Sequence, residues 1–458
     1  MIISPVFDKE SSKALYMQLY EYIKEEITSG LLKPDSKLPS IREASSSLNL
    51  SKTTIENAYN QLVAEGYLEN SPKRGYFVCD LSEYNFEINS SDIQKNIIST
   101  FDETLYINDG VDKDSFDIST WKRLYNKVIS DLSTNIYSSG SIQGEKVLRD
   151  EIANFVNTMR GGHTSSEQVI VGAGVQYLLG ILVGIIRDNY NTVAVEMPGF
   201  NKAEYIFEDY LFNIRHIEVK DNGFPISALI KSDARLIYIS PSHQYPLGTI
   251  MPVNKRMELL DWAYKNNGLI IEDDYDAMIR YGGMPIPSLQ GLDKNDCVIY
   301  LGSFSKMLLP SLRISFMVIP KRLLSKYNFI KIRHTQSTSK IDQLVLASFM
   351  KEGYMLKHLR KIKRIYKKKN LLLSASFKNT FKDKLEIINS DSGLHIVCEA
   401  DTFKDEKKLR EDAKNSRILL NIISRNENKI VFSLNYSGIS MNRIQNFTDL
   451  LGKVLFEH

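Results

Sequence analysis

The sequence predicts an α/β chain in two folded parts: a small helical unit ending in a hairpin, and a larger domain on a mostly parallel sheet. Three observations predict it. Residues 13–78 hold three short helical stretches followed by two strand-like runs. From residue 169 onward, apolar β-type runs alternate with helical stretches, the pattern of strands covered by helices. Between the two, from about Cys79 to Ile107, the chain is rich in Ser, Asn, Asp and Glu and keeps no period, as a linker does.

The elements follow in order. Leu19, Ile23 and Ile27 recur at four-residue spacing with Tyr16 and Tyr20 beside them, so a first helix runs until Gly30 and Pro34 stop it. Ser40 with Glu43 three residues on is a capping-box pattern that opens a second helix over 41–48. Ser51 caps a third helix through Ile55, Tyr59 and Leu62, ended by Gly66. Tyr67 to Leu68 and Tyr76 to Val78 flank the turn SPKRG and form a wing. In the larger part, strands are expected at 169–171, 192–195, 236–239, 269–271, 298–301 and 314–319. Beyond about Lys326 a long helix leads into a smaller α+β segment. The expected division is 1–80, a linker over 81–107, and 108–458.

Composition sets bounds. The 458 residues fit two to four domains at roughly 100 to 200 residues each. With 25% charged and 43% hydrophobic residues, disorder and collagen-like repeats are excluded. The net charge of +3 gives no global reason to expect nucleic acid or an anionic membrane. Cys79, Cys297 and Cys398 are far apart and odd in number, which indicates neither a disulfide framework nor a cysteine zinc site and fits a reducing cytoplasm. No metal site is expected. MIISPVFDKESSK lacks the basic and apolar regions of a secretory signal. Residues 169–186 are uncharged and about long enough to span a membrane, but Gly172 and Gly174 split them into a strand, a turn and a core helix.

Two capped helices followed by a wing is the arrangement in which the later helix enters the major groove of double-stranded DNA. Ser51, Lys52, Thr53, Thr54 and Asn57 lie at that helix start, and Lys73 and Arg74 lie on the wing. Hydroxyls, amides and cations there can reach bases or phosphates. Residues 1–80 carry a net charge of −2, so the contact surface must be a patch. The segments LPSIRE, LSKTTI, LVAEGYL and RGYFV resemble the winged helix-turn-helix of the GntR family. That resemblance implies DNA contact by Arg42, Ser51, Lys52, Thr53, Thr54 and the wing from Lys73 to Gly75.

In the larger part, GSFSKMLLPSLR over 302–313 sets hydroxyls, one Lys and one Arg after an apolar strand. A primary amine beside phosphate-binding groups suits a Schiff-base lysine anchoring a phosphorylated aldehyde, and Arg313 can hold phosphate bidentately. LIIEDDYDAMIRY over 269–281 places carboxylates and a Tyr at a strand end; they can pair with a protonated pyridine nitrogen or hold Mg²⁺. Gly172, Gly174, Val175 and Gln176 lie where a strand turns into a helix, whose N-terminal N–H groups can bind phosphate.

Together with YSSGSIQGEKVLRDEIANF, EMPGF, SPSHQYPLG and HLRKIKRIY, these segments resemble the class I aminotransferases of fold type I. The fusion to a GntR-like head resembles the MocR/GabR regulators. The resemblance implies pyridoxal 5'-phosphate, with Lys306 as the catalytic and Schiff-base lysine, Asp273 on the ring nitrogen, Tyr275 on the ring hydroxyl and Phe200 stacked on the ring. Phosphate would be held by Gly174, Val175, Gln176, Ser303, Ser305 and Arg313, with Tyr137 reaching in from a second subunit of a homodimer. The roles of His243 and Gln244 stay open. One departure stands out: Ser433, in IVFSLNYSG, occupies the place where transaminases have an Arg for the substrate carboxylate, with Arg425 as a candidate replacement. The implied function is a cytoplasmic transcription regulator that senses pyridoxal phosphate or an amine through the second domain. The alternative is an active aminotransferase with a DNA-binding head. Residues 351–369, with nine Lys or Arg against Glu352, are expected to form an amphipathic helix with a solvated basic face.

Overall fold

The computed structural model describes residues 5, 7–8, 13–80, 106–108, 110–131, 136–219, 224–281, 286–390 and 392–457. The expected linker lies outside the described residues apart from Tyr106 and Ile107. The chain divides into two units, Met1–Asp102 and Glu103–His458.

In the first unit, α1 (Leu15–Thr28), α2 (Ile41–Leu48) and α3 (Lys52–Ala64) precede the hairpin β1 (Leu68–Ser71) and β2 (Gly75–Val78). Local chemistry sets each boundary. The capping box at Ser40 is complete: its side chain accepts from the Glu43 N–H while the Glu43 carboxylate accepts from the Ser40 N–H. Ser51 caps α3 by accepting from the Thr54 N–H at 3.1 Å. Leu19, Ile23 and Ile27 of α1 pack with Ile55, Tyr59 and Leu62 of α3 into the unit's own core. Gly75 has φ +110, a backbone conformation that L side chains rarely adopt, so glycine closes the wing turn beside Lys37 without backbone strain.

The second unit begins with the Ile107 N–H bonded to the Arg417 carbonyl. It then builds α4 (Ile118–Ser130), α5 (Lys146–Arg160), β3 (Val169–Gly172), α6 (Val175–Ile186), β4 (Thr192–Met197), α7 (Asn201–Asp209), β5 (Asn213–Glu218), α8 (Ile226–Lys231), β6 (Leu236–Ile239), α9 (Val253–Lys265), β7 (Leu269–Asp274), α10 (Leu289–Leu292), β8 (Val298–Ser303), β9 (Ser315–Val318) and α11 (Leu324–Ile330). Its sheet has the order β3-β9-β8-β7-β6-β4-β5, and only β9 runs antiparallel to its neighbours. Six of the seven strands were expected. The seventh, β5, is an edge strand whose sequence NIRHIE buries one side chain in six, which removes the apolar run that marks a central strand. Successive residues face opposite layers: Leu269 and Ile271 pack with α6 and α7, Ile270 with α9.

The remainder comprises α12 (Lys340–Lys351), α13 (Tyr354–Phe381), β10 (Leu385–Asn389), β11 (His395–Asp401), α14 (Glu406–Asn415), β12 (Asn421–Asn426), β13 (Lys429–Asn435) and α15 (Ile444–Phe456). The four strands form an antiparallel sheet ordered β10-β11-β13-β12. Helix α13 carries the basic run, and Leu359, Ile362 and Tyr366 form its buried seam as expected. Lys369 departs from expectation. It is buried, 2.5 Å from Asp112 Oδ2, and donates to the Ser437 carbonyl at 2.7 Å. No helix among the described residues is long and apolar enough to cross a membrane.

Candidate functional sites

On the first unit, Lys52, Thr53 and Asn57 are exposed on the opening turns of α3, while Ile55, Ala58 and Tyr59 of the same helix are buried. The periodicity that fills the core therefore turns a polar face outward at the helix N-terminus, where N–H groups and Lys52 favour an anion. Arg42 is exposed on α2. Lys73 and Arg74 are exposed on the wing, Arg74 with its guanidinium 5.3 Å from the Phe77 ring centre. Ser51 and Thr54 are engaged with each other, Oγ to Oγ1 at 2.8 Å. Lys37 was not singled out from the sequence; it is exposed, bridges to Phe77 and adds a cation beside the wing. Only the pairing of residue 37 with the hairpin could have signalled it.

On the second unit, one edge of the large sheet gathers the other predicted residues apart from Tyr137. Strands β4, β6, β7 and β8 run parallel and end together, with Asp274 opposite Gly302. The antiparallel β9 begins at the same edge, which brings Arg313 to it.

The four carboxylates of the IEDDYD segment are divided among different tasks. Glu272 accepts from the N–H groups of Leu289 and Gln290 at 2.8 and 2.9 Å, and burial pushes its carboxyl up to about 7. Asp274 holds the fully buried Arg160 at 2.6 Å and also accepts from Tyr300 at 2.5 Å. Asp276 lies 2.8 Å from His243 Nδ1. Asp273 receives only the Tyr238 hydroxyl among the described residues, and its Oδ1 is buried with no partner. Burial pushes the Asp273 carboxyl up to about 7, against the lowering effect of the Tyr238 bond.

Lys306 follows β8, partly buried, with no hydrogen bond or ion pair among the described residues. Its charge reaches His395, whose pKa burial pushes down to about 4. Ser303 Oγ accepts from Ser315 Oγ at 2.9 Å, and the buried Ser305 Oγ has no partner. Gly174 caps α6 with φ +99, and a Cβ there would stand 2.6 Å from Arg313 Nη2. Glycine thus lets the guanidinium approach the positive end of α6. Two positive groups face each other there, an arrangement that calls for an anion between them. Val175 and Gln176 open that helix. Phe200 sits at the start of α7, edge-on to Tyr245 at 6.1 Å between ring centres. Tyr137 is 92% exposed and does not join the pocket of its own chain.

The Gln244 side chain donates to the Pro198 carbonyl and accepts from the Leu247 N–H. Ser433 is buried on β13 and accepts from Asn421, which also reaches the Tyr245 hydroxyl at 3.4 Å. Arg425 is no replacement for the expected Arg. It lies four residues further along β12, roughly 13 Å at strand rise, and donates to the Lys404 carbonyl.

His243, Asp276 and His395 converge, with ligand-type atoms within 4.8 Å of one another. Tetrahedral ligands about one zinc ion would stand roughly 3.3 Å apart. The 2.8 Å between His243 Nδ1 and Asp276 Oδ1 is the spacing of a shared proton.

A winged-helix head with an outward polar helix face, followed by an aminotransferase-type fold with a lysine at its sheet edge, defines a DNA-binding transcription regulator. Residues 15–78 match the family of bacterial regulatory proteins of the gntR type, and residues 112–422 match aminotransferase class I and II. The uncharacterized HTH-type transcriptional regulator YdeL of Bacillus subtilis is 37% identical over 454 residues, covering 97% of both chains. The probable rhizopine catabolism regulatory protein MocR of Rhizobium meliloti is 30% identical over 436 residues, 92% of this chain and 88% of that one. The chain belongs to the MocR-type regulators, in which a GntR head precedes an aminotransferase class I and II domain. Among solved structures, a Pyrococcus horikoshii kynurenine aminotransferase in complex with PMP superposes with a TM-score of 0.66 over 80% of this chain and 93% of that one. At 22% identity, that likeness shows the fold.

Proposed function

We propose that the second unit holds pyridoxal 5'-phosphate and that ligation of its pocket, by the cofactor or by an amine, sets the affinity of the head for a double-stranded operator. The observation that carries this reading is the buried, unpartnered Asp273 Oδ1, at the same sheet edge as Lys306 and the Gly174–Arg313 cradle. The residues fit the group. Asp273 offers a pyridinium nitrogen the carboxylate that burial otherwise disfavours. Arg313, Ser303, Ser305 and the N–H groups of Val175 and Gln176 would hold the phosphate, with Gly174 giving clearance. Tyr275 would donate to the ring hydroxyl and Phe200 would cover the ring. When bound, the group supplies an aldehyde that a primary amine can condense with and a ring that withdraws electrons. Lys306 supplies that amine, and an incoming amine competes with it.

Ser433 and Asn421, in place of a guanidinium, favour sensing over turnover, because at this position a substrate carboxylate would meet a hydroxyl and an amide and not a charge-assisted pair. A ligand acts on DNA only through differential affinity for two arrangements of the protein. By its family resemblance the protein acts in the cytoplasm as a homodimer, on paired half-sites, with Tyr137 completing the partner's pocket. The proposed division is a head over 1–80, a linker over 81–107 and the sensor over 108–458.

The test is operator binding by the full-length protein with and without pyridoxal phosphate and a panel of amines and amino acids, alongside absorption spectra before and after borohydride. A visible band abolished by borohydride, together with ligand-dependent operator affinity lost in Lys306→Ala, is expected. A Lys306→Ala protein that responds as the parent does overturns the covalent mechanism, and steady turnover of an amino acid with a keto acid would establish the enzyme instead.

A further inference from the structure

His243 and Asp276 hold neither phosphate nor ring nitrogen in this reading, yet their side chains are 3% and 0% exposed and bonded Nδ1 to Oδ1 at 2.8 Å. The Tyr275 hydroxyl lies 3.1 Å from the same Nδ1, with the two rings stacked at 5.8 Å and 27°. Gly393 closes the pair from the start of β11. Its φ is +77, and a Cβ there would fall 2.1 Å from His243 Cε1 and 2.5 Å from Asp276 Oδ2. The backbone therefore seats directly on the pair and fixes both side chains.

A neutral imidazole carries one ring proton. With a carboxylate oxygen 2.8 Å away, that proton sits on Nδ1 and points at Asp276, because a bare lone pair facing the carboxylate would be repelled. Nδ1 is then a donor and cannot accept the Tyr275 proton, which is left for another acceptor in the pocket. We propose that the Asp276–His243 pair is a positioning device for Tyr275: it fixes the imidazole tautomer and so keeps the Tyr275 hydroxyl a donor toward the ring oxygen of pyridoxal phosphate. This rests on the reading of the pocket given above.

The surroundings define what else can titrate. Tyr275 and Asp276 face His243 from the end of β7, and Tyr245 stands edge-on to both Tyr275 and His395. His395 faces it from β11, with ring centres 4.8 Å apart, and its lowered pKa leaves it neutral above about pH 4. Lys306 acts on this group by charge, as do Asp273 and Glu196 on Tyr275. Arg160 and Arg280 line a small cavity together with His243 and Asp276.

A donor to the ring oxygen favours its more negative form, so the pH at which the visible band of the bound cofactor changes lies lower while the donor is in place. In full-length protein loaded with pyridoxal phosphate, Asp276→Asn should raise that midpoint by about one pH unit. Without the carboxylate nothing holds the ring proton on Nδ1; once that proton moves to Nε2, the free Nδ1 lone pair can accept the Tyr275 proton. Tyr275→Phe should raise the midpoint at least as far, and the double variant no further, because both changes remove one hydrogen bond. His243→Asn should move it in the same direction and serves where Asp276→Asn fails to fold and shows no band. An unchanged midpoint in Asp276→Asn or in His243→Asn, or additive shifts in the double variant, overturns the device while leaving the cofactor reading intact. A parent that shows no visible band with added pyridoxal phosphate removes both.

Discussion

The two units present their recognition groups in opposite ways. On the head, Arg42, Lys52, Thr53, Asn57, Lys73 and Arg74 are exposed, on a scaffold whose core lies behind them. In the pocket, Asp273, Asp274, Asp276, His243 and Arg160 are buried, with Arg160 paired to Asp274, His243 to Asp276 and Asp273 bonded to Tyr238. Solvated cations attract phosphate through a field that salt screens, so their contributions are separable and depend on ionic strength. Buried charges have already lost their water, so each depends on its partner, and changes there register in stability and pH dependence.

The largest effect should come from Arg160→Ala. It would leave Asp274 buried without its cation and strip a partner from Ser242. Removing one member of a buried pair costs about 3–5 kcal/mol, to be read from denaturant unfolding of the second unit's transition. A loss confined to the range of a surface pair would break the comparison.

Asp273→Asn sharpens it. Affinity for pyridoxal phosphate, followed by titration of the visible band, should fall at least tenfold, about 1.4 kcal/mol. The stability of the ligand-free protein should not fall at pH 8. In the folded protein Asp273 and Glu272 titrate near 7 and Glu196 near 8, all above ordinary carboxyl values. The folded state thus binds more protons than the unfolded one between about pH 4 and pH 8, and these groups' contribution to stability declines as pH rises through that window. An amide has no proton to lose, so unfolding of the variant should depend less on pH there. A steeper dependence would contradict the assignment.

The same contrast decides what the sequence could show. Ser40, Glu43 and Ser51 act within four residues of their partners, so capping made the head legible from local pattern. The strands buried on both faces announced themselves by unbroken apolar runs, the edge strand β3 among them; β5, which buries one side chain in six, does not. In the pocket, Asp273, Lys306 and Arg313 were legible through motif resemblance. The division of labour among Glu272, Asp274 and Asp276 was not, because their partners Leu289, Arg160 and His243 lie 17, 114 and 33 positions away. Lys369 shows the same limit: one cation of a basic run is buried against Asp112, which no charge count along α13 reveals.

On the head, Lys52→Ala should weaken operator binding roughly five- to tenfold at moderate salt and reduce the slope of log affinity against log salt by about 0.9. The pocket's spectrum should be unaffected. An unchanged slope would mean that Lys52 neutralises no phosphate.

The smallest expected effect carries the finest distinction, at Ser51. Its hydroxyl is named as a DNA contact by the family resemblance, yet it accepts from the Thr54 N–H at 3.1 Å and pairs with Thr54 Oγ1. If capping is its main work, Ser51→Ala lowers head stability by about 1 kcal/mol and Ser51→Gly by only a few tenths, because glycine lets water reach the freed N–H groups. If the hydroxyl touches DNA, Ala and Gly weaken operator binding alike, since both remove it. Thermal unfolding of the head and operator titration on the same two variants separate these outcomes. We expect the Ala variant to lose stability and the Gly variant to bind operator within about twofold of the parent, a difference below 0.5 kcal/mol.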